Sequence, residues 1–419
     1  MKHNKPDEPM QHQLHSKARW LGTLLAAATL FSATSVWAQT VTIDPTEVHQ
    51  TVQGFGGMNG AGWIADLTPA QVDLAFGSDN GQIGLSIMRM RIDPSSSGWR
   101  LQVPSAVRAR SHGAVLLATP WSAPAYMKSN NSLNNGGKLL PQYYGAYARH
   151  LQDFVAYMAD QGAPVYAMSL QNEPDWHPDY ESGDWDGADF LHFITAQGAG
   201  FGSVKLLASE SFSSNTALTD PVLNSEVAQY VGLVGGHLYG VQPKDYALAD
   251  SKGKPVWMTE HFTDNTDGNA WPSALGVASE LHNSMLANYS AYVWWYIRRG
   301  YGLIAEDGRV SKRGYVMSQY ARFVRPGSTR IGATPAPYAD VAASAYQTPD
   351  GKTVLVVVNT GNQFRQITLN VPGGSAATAF TKYSTSATVN VGYGGKYRIT
   401  RGQTTFWADP QSVATLVSE

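Results

Sequence analysis

The sequence predicts an α/β fold: a (β/α)8 barrel with a fused side β-sandwich built from the N-terminal strand and the C-terminal region. Three observations carry this. Between Gly54 and about Arg322, eight short β-rich runs alternate with stretches of helical spacing. After Pro326 the texture changes to short β-runs separated by Gly, Pro, Asn and Ser. The segment 40–53, at the other end of the chain, has strand character of its own.

Residues 17–38, KARWLGTLLAAATLFSATSVWA, have a basic start, an apolar middle and small residues at Val36 and Ala38. That pattern reads as a secretory signal cut after Ala38, so 1–38 is assigned as the signal peptide and the protein as secreted, extracellular or periplasmic. The other reading, a membrane anchor, suits a longer and more purely apolar core than this one. The polar stretch before Lys17 also allows translation to begin at Met10. Residues 39–53 are the N-terminal strand of the β-domain, expected to pair with the C-terminal strands. Residues 54–325 hold the barrel runs: VQGFGG (52–57), IGLSIMRMRID (83–93), AVLLATPWSAP (114–124), VYAMSLQNEPD (165–175), VKLLASES (204–211), VGLVGGHLYG (231–240), PVWMTEHF (255–262) and AYVWWYIRR (291–299). Helical candidates lie at 141–162, 187–201 and 273–288. Eight strands alternating with helices give parallel pairing and, most simply, a TIM barrel; a doubly wound open sheet is the alternative. Residues 326–419 carry KTVLVVVNT, RQITLNVP, KYRITRG and QSVATLVSE, the signature of a sandwich domain.

Composition narrows the chemistry. The 419 residues have a net charge of −2, which gives no electrostatic case for nucleic acid or an anionic membrane. There are no cysteines, which excludes disulfides, thiol nucleophiles and cysteine metal sites. The histidines show no H-E-x-x-H spacing, so no metal and no cofactor is expected. Charged residues make up only 15%, while Trp and Tyr number 12 and 21. Broad amphipathic rings with few charges suit a neutral, hydroxyl-rich ligand, although a large aromatic core is the plainer explanation. A monomer is expected.

Barrel enzymes carry their reactive groups at the C-terminal ends of strands. Those ends present Arg89 and Arg91, Trp121, Asn172 and Glu173, Glu210, His237 and Tyr239, Glu260, then Trp295, Tyr296 and Arg299. Glu173 and Glu260 close the fourth and seventh runs, across the mouth from each other. Two carboxylates so placed can approach the ~5–5.5 Å that a retaining glycosidase needs, one as acid/base and one as nucleophile. Ordinary ion pairing is the other explanation for either one alone. Asn172 can hydrogen-bond a sugar 2-hydroxyl, and Pro174 turns the chain after the strand. Ile87, Arg89 and Arg91 share a face by alternation, and an inward Arg89 would hold the nucleophile ionised. Tyr239 is in a position to hydrogen-bond the nucleophile. His237 is either catalytic or a satisfied core histidine, and Arg91 is left as a structural salt bridge. The loop carrying Trp176, Tyr180 and Trp185 is expected to line the groove on the aglycone side, or else to pack under a neighbouring loop.

The motifs GFGG, ATPWSAPAYMK, SLQNEPDW, GGHLYG, WMTEHF and YVWWYIRRGYGLIAEDGRVSKRGYVMSQYARFVRPG closely resemble the glucuronoxylan-specific endo-β-1,4-xylanases of glycoside hydrolase family 30. The resemblance spans essentially the whole mature chain. It implies a barrel with a fused sandwich, retention of configuration, Glu173 as acid/base and Glu260 as nucleophile. It also implies that xylan with glucuronate branches is the partner, the branch carboxylate being surrounded by Trp295, Tyr296, Arg299 and Tyr301. Gly300 and Asn265 stand where the family usually has Ser, and Asn265 would then contact the branch in its place. Arg299 paired with Glu306 or Asp307 is the structural alternative. Other family 30 activities (β-1,6-glucanase, glucosylceramidase-like, β-xylosidase) and a non-catalytic carbohydrate-binding barrel are the competing functions.

Overall fold

The computed structural model describes residues 39–263, 265–371 and 377–419. The signal-peptide reading of 1–38 lies outside them. Among the described residues no helix is long and apolar enough to cross a membrane.

A long strand β1 (Gln39–Thr51) opens the chain. The eight runs then become β2 (Gly54–Asn59), β3 (Ile87–Ile92), β4 (Val115–Pro120), β5 (Ala167–Ser169), β6 (Lys205–Ser211), β7 (Val231–His237), β8 (Val256–Glu260) and β9 (Tyr289–Tyr296). Each pairs in parallel with its sequence neighbour, and β9 closes on β2. Closure rules out the open-sheet alternative. The lower interior is a plug of Ile87, Leu117, Ala167, Leu207, Leu233, Trp257, Ala291 and Val293. Side chains alternate along a strand, so two residues beyond Ile87 the same inward face carries Arg89. The barrel is thus apolar below and charged at its C-terminal mouth.

Helices cover the outside. The longest among the described residues, Tyr144–Asp160, buries Tyr147, Leu151, Phe154 and Met158, a 4-3-4 stripe that only a helix puts on one face. Helix Gly187–Gln197 starts where the Asp186 carboxylate accepts from the Ala188 and Asp189 N–H groups. The third expected helix runs Trp271–Leu286.

The C-terminal region holds eight strands: β10 (Thr329–Ala333), β11 (Val341–Gln347), β12 (Thr353–Asn359), β13 (Arg365–Asn370), β14 (Ala379–Thr385), β15 (Gly392–Arg398), β16 (Gln403–Ala408) and β17 (Ser412–Ser418). Strand β1 ties their two layers together. Its first residues pair in parallel with β13, and beyond Ile43 it runs antiparallel to β10 with shifts of register. Val41, Ile43, Leu355, Ile367, Phe380, Phe406 and Leu416 fill the space between the layers. The opposite faces of β12 and β17 offer Val354, Val356, Val358 and Val413 to the barrel core. The Trp271 indole N–H donates to the Gln411 carbonyl at 3.0 Å, and the Thr415 hydroxyl donates to that of Gln319 at 2.6 Å.

Candidate active site

Strand β5 is only three residues long, and the residues just beyond it shape the mouth. Asn172 makes a single parallel bridge to Glu210, and the Glu173 N–H donates to the Glu210 carbonyl at 2.9 Å. Glu173 itself sits at φ +43°, in the left-handed region that a residue with a Cβ avoids. Holding it there costs on the order of 1–3 kcal/mol, and such strain collects at functional sites. Glu260 is the last residue of β8. One carboxylate oxygen of each glutamate and a ring nitrogen of His237 lie within 4.8 Å of one another.

A buried charge cluster surrounds them. Arg89, with no exposed surface, reaches Glu260 Oε2 at 2.5 Å, Asn172 Oδ1 at 2.7 Å and Glu210 Oε1 at 3.2 Å. The Tyr239 hydroxyl donates to Glu260 Oε1 at 2.8 Å. His237 Nδ1 lies 2.9 Å from Glu173 Oε1, and its Nε2 faces Glu210 Oε1 at 3.8 Å. Neither Glu210 oxygen accepts a well-aligned hydrogen bond from a described residue; its interactions are ionic. Burial pushes the Glu173 carboxyl above its usual range and the Glu260 charge adds to this, against the pull of His237 and Arg89. Burial also acts to raise Glu210, but Arg89 and His237 together hold it at about 2. Burial works against a charge on His237, yet Glu260, Glu173 and Glu210 outweigh it and lift the ring to about 9. His237 Nδ1 is already engaged by Glu173 Oε1, and Arg89 already neutralises Glu260. The donor set fits a proton-transfer cluster better than a metal centre.

Above the carboxylates lies a groove of about 700 Å³, lined by Trp121, Trp176, Tyr239, Trp295 and Tyr296 together with both glutamates. Trp121 and Trp295 also flank the Arg89 guanidinium, at 4.7 and 5.8 Å from their ring centres. Gly60 admits the Tyr296 ring: a Cβ there would meet it at 2.3 Å. Trp176 is 43% exposed and stacks on Phe212 at 4.5 Å, which stacks on Tyr239 at 4.8 Å. Tyr301 stacks on Phe262 at 4.9 Å, and the Arg299 guanidinium lies 5.8 Å from the Tyr296 ring centre.

One expectation changes, and two others gain contacts that bear on them. Trp185 does not line the groove: it is 5% exposed and packs among Tyr147, Phe190 and Phe193 under the barrel helices. Of the three rings in its loop, only Trp176 and Tyr180 face the groove. Asn265 spends its side-chain oxygen accepting from the Asp267 N–H at 2.9 Å, a local turn, so only its amide NH2 is left to donate. Arg299 is 44% exposed at the side chain and faces Glu306 at 3.7 Å, the ion pair named as its structural alternative. Arg91 pairs with Asp93 and Glu181, as a salt bridge.

Strand-end reading missed Trp63, Asn134, Glu181, Phe212 and Phe262, which complete the groove. A signal existed for two of them. Phe212 and Phe262 each lie two residues past a strand-end glutamate, where extended alternation returns to the same side. Asn134 and Glu181 arrive on loops that approach only in the fold.

Residues 90–183 match the glycosyl hydrolase family 30 TIM-barrel domain, and residues 327–416 match the glycosyl hydrolase family 30 beta sandwich domain. The chain is 39% identical to Glucuronoxylanase XynC of Bacillus subtilis (strain 168), over 94% of this chain and 96% of that protein. Among solved structures, it is similar to the family 30 subfamily 8 xylanase Xyn30A of Clostridium acetobutylicum, at 36% identity and a TM-score of 0.85. That match covers 91% of this chain and 99% of the other. A family 30 endoxylanase of Clostridium papyrosolvens C71 gives 31% identity and a TM-score of 0.83, covering 91% of this chain and all of that one.

Proposed function

The chain belongs to glycoside hydrolase family 30, and on that premise we propose a secreted, retaining endo-β-1,4-xylanase that cleaves glucuronoxylan at a position set by its (methyl)glucuronic acid branch. The observation that carries the reading is the approach of the Glu173 and Glu260 carboxylates to within 4.8 Å. Retention needs ~5–5.5 Å, whereas inversion needs ~6.5–9.5 Å to seat a water between the groups. The likeness to xylanases supports xylan as substrate, and the leader 17–38 supports export.

Glu260 acts as nucleophile. Its Oε forms an ester bond to the anomeric carbon as the glycosidic C–O bond breaks, and Glu173 gives its proton to the departing oxygen. Glu173, now a carboxylate, then takes a proton from water. The oxygen of that water attacks the anomeric carbon and breaks the ester bond. Arg89 and Tyr239 hold Glu260 in place for attack. Arg89 also fixes the amide of Asn172: because Oδ1 accepts from the guanidinium, Nδ2 faces the sugar 2-hydroxyl. The exposed rings of Trp176 and Tyr180 offer flat surfaces to xylose CH faces. Trp295, Tyr296, Tyr301 and Arg299 recognise the branch.

Stereochemistry and rescue test this. Proton NMR of early hydrolysis should show the β-anomer first, followed by mutarotation. Glu173→Ala with added azide should yield a β-glycosyl azide, while Glu260→Ala should be inactive on every substrate. Early α-product, or an α-azide from Glu173→Ala, overturns the assignment. Mass spectrometry of glucuronoxylan products should show one branch position.

A further inference from the structure

Glu210 and His237 have no place in the two-step mechanism, yet both are wholly buried against its acid. Ionised groups without solvent persist only when balanced. The charged groups facing His237 are Glu173, Glu210, Glu260 and, behind the last two, Arg89; the Tyr239 phenol is the remaining titratable neighbour. With Glu173 as a neutral acid, Arg89 and His237 are two cations and Glu210 and Glu260 are two anions, so the cluster is neutral.

We propose that Glu210 and His237 are positioning residues: the Glu210 charge keeps Glu173 protonated against the pull of the His237 cation, and His237 places the transferable proton on Oε2. This rests on the reading of Glu173 as the acid. His237, held as a cation, carries hydrogens on both nitrogens. Its Nδ1 is 2.9 Å from Glu173 Oε1 and is therefore the donor there. A carboxyl oxygen that accepts from a cation does not also carry the acid hydrogen, so the proton sits on Oε2. Glu210 supplies the second anion. Remove its charge and the cluster becomes net positive, so Glu173 gives up its proton at lower pH. The Glu210 carboxylate faces the Arg89 guanidinium at 3.2 Å and His237 Nε2 at 3.8 Å, so it acts on Glu173 through its charge.

Two variants test the idea in opposite directions. Glu210→Gln keeps the shape and removes the anion. The basic limb of the kcat/KM profile, which reports loss of the acid proton, should move to lower pH. His237→Asn keeps a donor near the Nδ1 position and removes the cation, so the same limb should move to higher pH. A shift of about one unit either way is the expected scale for a buried charge at this range. At pH values above the limb, Glu210→Gln should also lose up to about tenfold on glucuronoxylan, which needs protonation of its leaving group, but little in the glycosylation of 2,4-dinitrophenyl β-xylobioside, which does not. Damage to the fold would depress both substrates alike and leave the limb where it was, and that outcome overturns the proposal. Should Glu210→Gln fail to fold, the upward shift in His237→Asn still decides. Glu173→Gln is the control on the underlying reading. If it loses both substrates equally, Glu173 is not the acid; if it behaves as an acid should while neither variant moves the limb, only the positioning proposal falls.

Discussion

The Tyr239 phenol donates to Oε1 of Glu260 across 2.8 Å, while Arg89 occupies Oε2 of the same carboxylate. Each oxygen of the proposed nucleophile thus accepts one hydrogen bond and keeps a further lone pair, so both donors can hold the carboxylate in place during attack. Burial and the Glu260 charge keep the phenol protonated, so it remains a donor at any pH at which the protein functions. Tyr239→Phe removes one hydrogen bond to a charged group, worth about 1.5–3 kcal/mol. We expect kcat/KM to fall by roughly ten- to a hundredfold, with the melting temperature nearly unchanged. An unaltered rate would mean that Arg89 alone aligns the nucleophile.

Arg299 is the point at which branch recognition can be tested. Its partner Glu306 is itself held by Arg298 at 2.8 Å, which leaves the Arg299 contact at 3.7 Å the looser of the two. A substrate carboxylate would then displace Glu306 and bind the guanidinium through two parallel hydrogen bonds. Arg299→Ala should cost about ten- to a hundredfold in kcat/KM on glucuronoxylan, and little on linear xylo-oligosaccharides. Glu306→Gln, which frees Arg299, should leave the preference intact or raise it. Equal losses on both substrates in Arg299→Ala would show a structural role instead.

Two tryptophans of one loop should behave in opposite ways. Trp185 is a core residue among Tyr147, Phe190 and Phe193, so Trp185→Ala should destabilise the fold by about 3–5 kcal/mol. Trp176 has one face on Phe212 and the other open to the groove. Trp176→Ala should change stability by less than about 1 kcal/mol, and raise KM for xylan several-fold. Thermal melts and initial-rate kinetics on the two variants decide between these roles.

Acid should weaken the protein through His282. The ring is completely buried in helix Trp271–Leu286, with Nδ1 3.1 Å from the Tyr320 hydroxyl. Burial, helped by the Arg330 charge, pushes it down to about 4. The folded value is lower than the unfolded one near 6.5. The stability is therefore complete above about pH 6.5 and is lost progressively as pH falls through about 4. A shift of that size corresponds to about 3 kcal/mol. His282→Gln, which retains a partner for Tyr320, should flatten the decline in melting temperature across that pH range. A variant whose acid limb parallels the parent would place the acid sensitivity elsewhere.

The two letters that end the fourth and seventh runs, Glu173 and Glu260, were readable because strand position is a local property. Period-two alternation and the barrel's parallel order carry each residue to a known face and a known end. The same alternation placed Arg89 inward, two residues above Ile87, and gave Tyr239 its reach to Glu260. Local pattern also gave the sandwich strands with dense β-branched runs, such as β12, but passed over the alanine-rich β11. What it did not decide was every question settled by distance between segments far apart in sequence. Trp176 and Trp185 are nine residues apart with the same side chain, and only the packing of helices Tyr144–Asp160 and Gly187–Gln197 decides which one is buried. Glu210 has the same strand-end position as Glu260; its different fate comes from full enclosure beside Arg89 and His237, each from another strand. His237 reads as a core histidine until Glu173 is seen 2.9 Å away. A pKa depends on charges and solvent within a few ångströms in space, and no spacing along a single chain encodes that neighbourhood.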